Sequence, residues 1–161
     1  MNTIARAADL IGLGLSEDAN AKAKAAKRVG IGSAFKSKYA PGAQLRKIIR
    51  EGFPVETVQR ILDSGRLNPV EVDRVVLPRK TLANRKKIGA LTSEQSDRLL
   101  RVARVIAAAE EVFGGKDKAG LWLRRPTTAL DGEPPLDLLD TEEGAREVET
   151  LLTRIAHGIA A

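Results

Sequence analysis

With 161 residues, no cysteine, one histidine and 3% aromatics, the chain is long enough for one or two small domains. It has no disulfide framework or thiolate metal site, and scant means to build a zinc or Ser-His-Asp centre. No apolar run approaches the roughly 20 residues that span a bilayer. The net charge of +6 hides a split: residues 1–125 carry 25 basic and 13 acidic side chains, residues 126–161 only two and eight. The basic part suits a phosphate backbone and the acidic part a basic protein surface.

Low aromatic content with abundant Ala and Leu leans helical. Residues 1–42 read as a low-complexity, flexible extension. Thr3 suits the start of a short helix through Ile11, and Ser16 a second through Val29, stopped by Gly30. Ala19–Lys27 offers almost no large apolar residue for docking, so these helices are expected to be marginal, with Gly30–Gly42 as linker. The glycines at 12, 14, 30 and 32 are no dinucleotide fingerprint, since no strand precedes them and the third glycine is missing. Asp9 interrupts the short apolar Ile4–Leu15 stretch, unlike a secretory signal, so a soluble, cytoplasmic protein is expected.

From Ala43 the pattern is regular. Gln44–Glu51 reads as a helix with Leu45, Ile48 and Ile49 on one face, stopped by Gly52 and Pro54. Val55–Ser64 follows with Val58, Ile61 and Leu62 inward and Gly65 at its end. Asn68-Pro69 is a start signal, cap then first-turn proline, for a helix through Val76. Leu77-Pro78 breaks it, and a basic helix follows, ended by Gly89. Thr92 and Gln95 form a capping box for the longest helix, 93–113, with Leu99, Val102, Ile106, Ala109 and Phe113 as its stripe. Asp117–Leu123 is a short helix before Pro126. A Pro- and Thr-rich loop covers 126–135, and Pro135–Leu139 makes one turn. Thr141 caps the last helix, which ends near His157 with Val148, Leu151, Leu152 and Ile155 inward. The fold class is all-α: a helix-turn-helix domain over 43–113 and a small helical domain over 114–161.

Asn68–Lys87 reads as helix, tight break, short basic helix. In a helix-turn-helix the second helix enters the major groove, N-terminal end first. Leu82 would anchor it inward. Arg79, Lys80, Thr81 and Asn84 are then candidates for bases or phosphates, and Arg85, Lys86 and Lys87 for phosphates. A solvated helix end whose cations complement the dipole is the competing account. Arg98, Arg101 and Arg104 step along the long helix as a solvated face paired with Glu94 and Asp97. Adjacent Glu110 and Glu111 diverge and make no acid/base pair. No enzyme activity, cofactor or metal is expected.

Three strings carry a resemblance. Pro78-Arg-Lys-Thr-Leu-Ala-Asn-Arg-Lys-Lys87, Leu91-Thr-Ser-Glu-Gln-Ser-Asp-Arg-Leu-Leu-Arg-Val-Ala-Arg104 and the tail from Ala119-Gly-Leu-Trp-Leu-Arg-Arg-Pro126 through Leu136–Gly144 are similar to the Xre/MbcA/ParS antitoxin family. The resemblance covers roughly 44–161. Lys80 stands where the family often has Arg, Asn84 at the first of an Arg pair, Asp131 for a glycine and Pro134 for a threonine. It implies a C-terminal domain that binds and covers the active site of a RES-type, NAD⁺-degrading toxin. It also implies operator binding by the helix-turn-helix, as a homodimer within a larger complex. The implied toxin-facing set is Trp122, Arg125, Leu136, Leu139, Asp140, Glu142, Glu143 and Arg154. Burial is the plainer fate of a lone Trp, and helix capping that of Thr141, Glu142 and Glu143. A stand-alone transcriptional regulator without a toxin is the alternative.

Overall fold

The computed structural model describes residues 3–13 and 41–159. Among them are eight α-helices, two 3-10 turns and no strand, the all-α fold expected. None of these helices is long and apolar enough to cross a membrane. The Ser16–Val29 helix and most of the Gly30–Gly42 linker lie outside the described residues.

Helix α1 covers Thr3–Leu10, close to the expected Thr3–Ile11. Its docking is the part that periodicity did not foretell. Ala7, Ala8 and Ile11 are fully buried and Leu13 nearly so. Two adjacent alanines let the helix approach its neighbour closely, and burying Ile11 contributes roughly 1.5–3 kcal/mol. Arg6 adds an exposed ion pair to Glu111 at 3.0 Å.

Helix α2 runs over Pro41–Glu51, starting at Pro41 rather than Gln44, since a proline in the first turn has no N–H to leave orphaned. Helix α3 spans Glu56–Asp63 and α4 spans Pro69–Val75. The Asn68 carboxamide accepts from the N–H groups of Val70 and Glu71, both at 2.9 Å, while the Glu71 carboxylate accepts the Asn68 N–H at 2.8 Å. The cap at Asn68 follows the sequence signal, and Glu71 adds the reciprocal half of a capping box. Helix α5 covers Arg79–Ile88 and ends at Gly89 in the left-handed conformation. The segments Phe53–Val55 and Gly89–Leu91 then pair through one antiparallel bridge, Val55 N–H to Gly89 O at 3.1 Å and Leu91 N–H to Phe53 O at 2.9 Å.

Helix α6, Ser93–Phe113, starts at the expected Thr92/Gln95 capping box. It is the axis of the molecule. Helices α1 and α2 pack on it, as do α7 (Lys116–Arg124), α8 (Glu142–Ala156) and the 3-10 turn Asp137–Asp140. Leu99, Val102, Ile106 and Ala109 of the predicted stripe are buried, but so are Leu100, Ala103, Val105 and Ala107. The apolar surface is wider than one stripe because neighbours pack on several sides.

Ser96 explains one position of the Leu91–Arg104 string. Its Oγ accepts the N–H of buried Phe53 at 2.8 Å and donates to the Thr92 carbonyl at 2.7 Å. Ser96→Ala strands the Phe53 N–H and is expected to cost about 1–3 kcal/mol, read as a lowered denaturant midpoint. An unchanged midpoint would mean that this amide has another partner.

Candidate functional site

The first candidate surface is α5 and the turn before it. Val75, Val76 and Leu77 are buried, which fixes α4 and the Leu77-Pro78 break to the core. Leu82 is half-buried against the same core, the anchor expected of it. The opposite face presents Arg79, Lys80, Asn84, Lys86 and Lys87 to solvent, with Thr81 and Arg85 half-buried. The Arg85 Nε is buried without a hydrogen-bond partner among the described residues, and Lys86 reaches the Gln59 carboxamide at 3.5 Å.

The dipole accounts for three of these five cations. Cations in the last turn, Arg85, Lys86 and Lys87, are favoured by the partial negative end of the helix. Arg79 and Lys80 sit in the first turn, at the partial positive end, where a cation is disfavoured and an anion is welcome. Asp73 offsets part of that mismatch, its carboxylate accepting the Arg79 N–H. Pro78, which precedes the helix, has no side chain to cap it. Sequence reasoning missed Asp73 because a cap normally sits immediately before its helix.

The second candidate surface is assembled from α7, the loop after it and α8. Trp122 is half-buried, its ring 5.1 Å from that of Phe113 at 36°. Its neighbour Leu121 is 75% exposed, and Arg125 is exposed. In the loop, Asp131 has φ +56°, a left-handed conformation that Asp tolerates better than most residues. This fits its standing where a glycine is common. The Thr127 N–H donates to Glu133 O at 3.2 Å, and the Leu136 N–H donates to Leu123 O at 2.9 Å, closing the loop onto α7.

Leu136 and Leu139 require a correction. Both were expected on the toxin-facing surface, but they are 1% and 0% exposed. The 3-10 turn that holds Leu139 packs on α6 and α8, so these side chains are core and set the position of the surface above them. Asp140, Glu142, Glu143 and Arg154 are exposed. Glu143 and Arg154 come together in a groove with Arg146, Glu147 and Leu130 between α8 and the Thr128–Leu130 turn. Trp122 and Arg125 lie elsewhere, on α7 and its end, so the expected set divides between two places.

The arginine row on α6 also differs from its expectation. Arg98 pairs with Glu94 at 2.6 Å as foreseen. Arg101 is buried, 8% exposed, and faces Glu142 at 3.6 Å. Arg104 takes Glu149 at 2.5 Å. These partners come from the acidic tail, which the spacing along α6 cannot reveal. One further pair follows the same rule, Arg74 with Asp137 at 2.5 Å, whereas Arg66 with Glu110 and Arg124 with Glu71, both at 2.7 Å, join residues outside the tail. Part of the sequence's charge split therefore closes inside the molecule.

A basic helix after a tight break, joined to a helical domain with exposed α7 and α8 surfaces, defines a class: a helix-turn-helix chain with an appended helical binding domain. Residues 44–104 match the antitoxin Xre-like helix-turn-helix domain, and residues 108–158 the antitoxin Xre/MbcA/ParS C-terminal toxin-binding domain. The chain is 39% identical to the antitoxin Xre of Pseudomonas putida over 111 residues, 68% of this chain and 69% of that one. It is 36% identical to the antitoxin Xre of Photorhabdus laumondii over 121 residues, 73% and 82% of the two chains. A third relative is the Prs ADP-ribosylating antitoxin of a Sphingobium species, 30% identical over 127 residues, 69% and 77%. The chain belongs to the Xre antitoxin family and carries its toxin-binding domain.

Proposed function

We propose that this antitoxin neutralises a RES-type, NAD⁺-degrading toxin by covering its active site, and reads its own operator through α5 as a cytoplasmic homodimer. The observation that carries the nucleic-acid half is the pair of cations in the first turn of α5. Arg79 and Lys80 work against the helix dipole there, and a phosphate at that end would reverse the sign of the interaction. A homodimer supplies two such helices to two half-sites. The toxin-facing surface in this reading is Trp122, Arg125, Asp140, Glu142, Glu143 and Arg154, held in place from below by Leu136 and Leu139.

The name of the Sphingobium relative includes ADP-ribosylation. That chemistry and NAD⁺ degradation both begin by breaking the nicotinamide–ribose bond, so the two assays belong together. The test is co-purification with the product of the adjacent reading frame, then NAD⁺ loss and protein ADP-ribosylation with and without this chain. A stable complex with suppressed NAD⁺ loss is expected. A complex that suppresses only ADP-ribosylation would replace the RES assignment, and absence of any complex would leave the stand-alone regulator.

For the operator, anisotropy on the chain's own promoter is expected to give salt-dependent binding. Arg79→Ala should weaken it roughly 5- to 100-fold if Arg79 reads a base, and Lys86→Ala should lower the salt slope by about one. Binding that ignores salt and both substitutions would end the reading of α5.

A further inference from the structure

Helix α4 is gripped from two directions. From the C-terminal segment, Arg124 donates through Nε and NH2 to the two Glu71 oxygens at 2.7 and 2.9 Å, and through NH2 to the Arg66 carbonyl at 3.0 Å. Glu71 Oε2 is also the acceptor of the Asn68 N–H, so the capping box shares its carboxylate with a guanidinium 53 residues away. The Glu71 side chain is only 8% exposed, and a carboxylate buried to that degree is costly without its partner. Further along α4, Arg74 binds Asp137 of the C-terminal segment. Toward α5, the Asp73 carboxylate holds the Arg79 N–H. Glu71, Asp73 and Arg74 share one seven-residue helix, so a shift at one is passed to the others.

We propose that Arg124, a residue of the toxin-binding segment, is a positioning residue for the basic helix: through Glu71, α4 and Asp73 it sets where the first turn of α5 stands. This rests on the reading of α5 as the nucleic-acid-facing helix, and it makes the helix-turn-helix complete only with the C-terminal segment in place. Arg124 itself touches no nucleic acid.

The test is a double-mutant cycle in the full chain, Arg124→Gln and Asp73→Ala singly and together. The readouts are amide hydrogen exchange at Leu82–Arg85 in α5 and promoter anisotropy. Exchange at Val148–Leu152 in α8 is the internal reference. R124Q is expected to speed exchange in α4 and α5 roughly tenfold, the loss of a charge-assisted, forked hydrogen bond, and to leave α8 unchanged. It should weaken promoter binding to a similar degree. With Asp73 already replaced, R124Q should change α5 less than about twofold, because the route is cut.

Equal effects of R124Q with and without Asp73 would overturn the proposal, and so would R124Q exchange at α5 equal to the unmutated chain. Loss of protection in α8 to the same extent would also overturn it, reducing Arg124 to general stability. If R124Q does not fold, Arg124→Lys, which keeps the charge and loses the fork, carries the same cycle. If the unmutated chain does not bind its promoter, the nucleic-acid reading fails while the exchange cycle still decides the link.

Discussion

Replacing Gly144 with alanine is expected to destabilise the protein by on the order of 3 kcal/mol, the upper part of the range for overpacking. Alanine inside a helix normally gains up to about 1 kcal/mol over glycine. Here the sign reverses. A Cβ at position 144 would stand 2.2 Å from the Leu138 carbonyl oxygen and 3.0 Å from its carbon. The obstacle is backbone and cannot swing aside. Gly144 lies in the first turn of α8, where its N–H is capped by the Thr141 hydroxyl at 3.0 Å. Relief would require prying α8 from the Asp137–Asp140 turn, the contact that supports Asp140, Glu142 and Glu143. Thermal unfolding is the check, with a fall in Tm of roughly 6–12 °C for a chain of this size. An unchanged or raised Tm would mean that α8 does not approach Leu138 this closely.

Leu139→Ala carries an expected loss of about 2–5 kcal/mol, the usual cost of removing a fully buried leucine side chain and leaving a cavity. It separates the two roles considered for this residue. A core leucine lowers Tm strongly and weakens toxin binding only as the fold fails. A contact leucine leaves Tm nearly unchanged and weakens the complex at every temperature. The 0% exposure of Leu139 commits to the first pattern, and the second would require the Asp137–Asp140 turn to open when the partner docks.

Helix starts and stops were legible because they are local chemistry. Asn68-Pro69, Thr92 with Gln95, Thr141 and the glycines after α5 and α6 each act within a few residues, and each sits where its chemistry demands. The docking of α1 was not legible. A stretch of small residues reads as weakly apolar by itself, and its value appears only when a partner helix of matching shape is present, as α6 is for Ala7 and Ala8. The charge pairs were hidden for a related reason. Periodicity tells on which face of α6 Arg101 lies, but Glu142 is brought there by two turns and a loop. The basic helix was legible in composition, and the conflict of Arg79 and Lys80 with the helix dipole follows from the helix starting at Arg79. Exposure in the expected toxin-facing set was legible only in part. Asp140, Glu143 and Arg154 reach the surface, whereas Leu136 and Leu139, placed in that set by the resemblance, belong to the interior because the Asp137–Asp140 turn and the residue before it pack into the core.

The division of the ion pairs bears on how such a chain can change its partners. Among the described residues, six charge contacts join the part matching the helix-turn-helix to the part matching the toxin-binding domain, and in five of them the cation lies on the first and the carboxylate on the second. Helix α6 itself begins in one and ends in the other. A chimera that joined this C-terminal half to another family member's helix-turn-helix half would need a matching row of arginines and an acid at the place of Glu71 in that half, or leave Glu110, Asp137, Glu142, Glu149 and Arg124 without their partners. With the toxin-facing surface proposed above, specificity for a new toxin is most readily acquired by changes on the outer faces of α7 and α8, with the seam between the halves carried along intact.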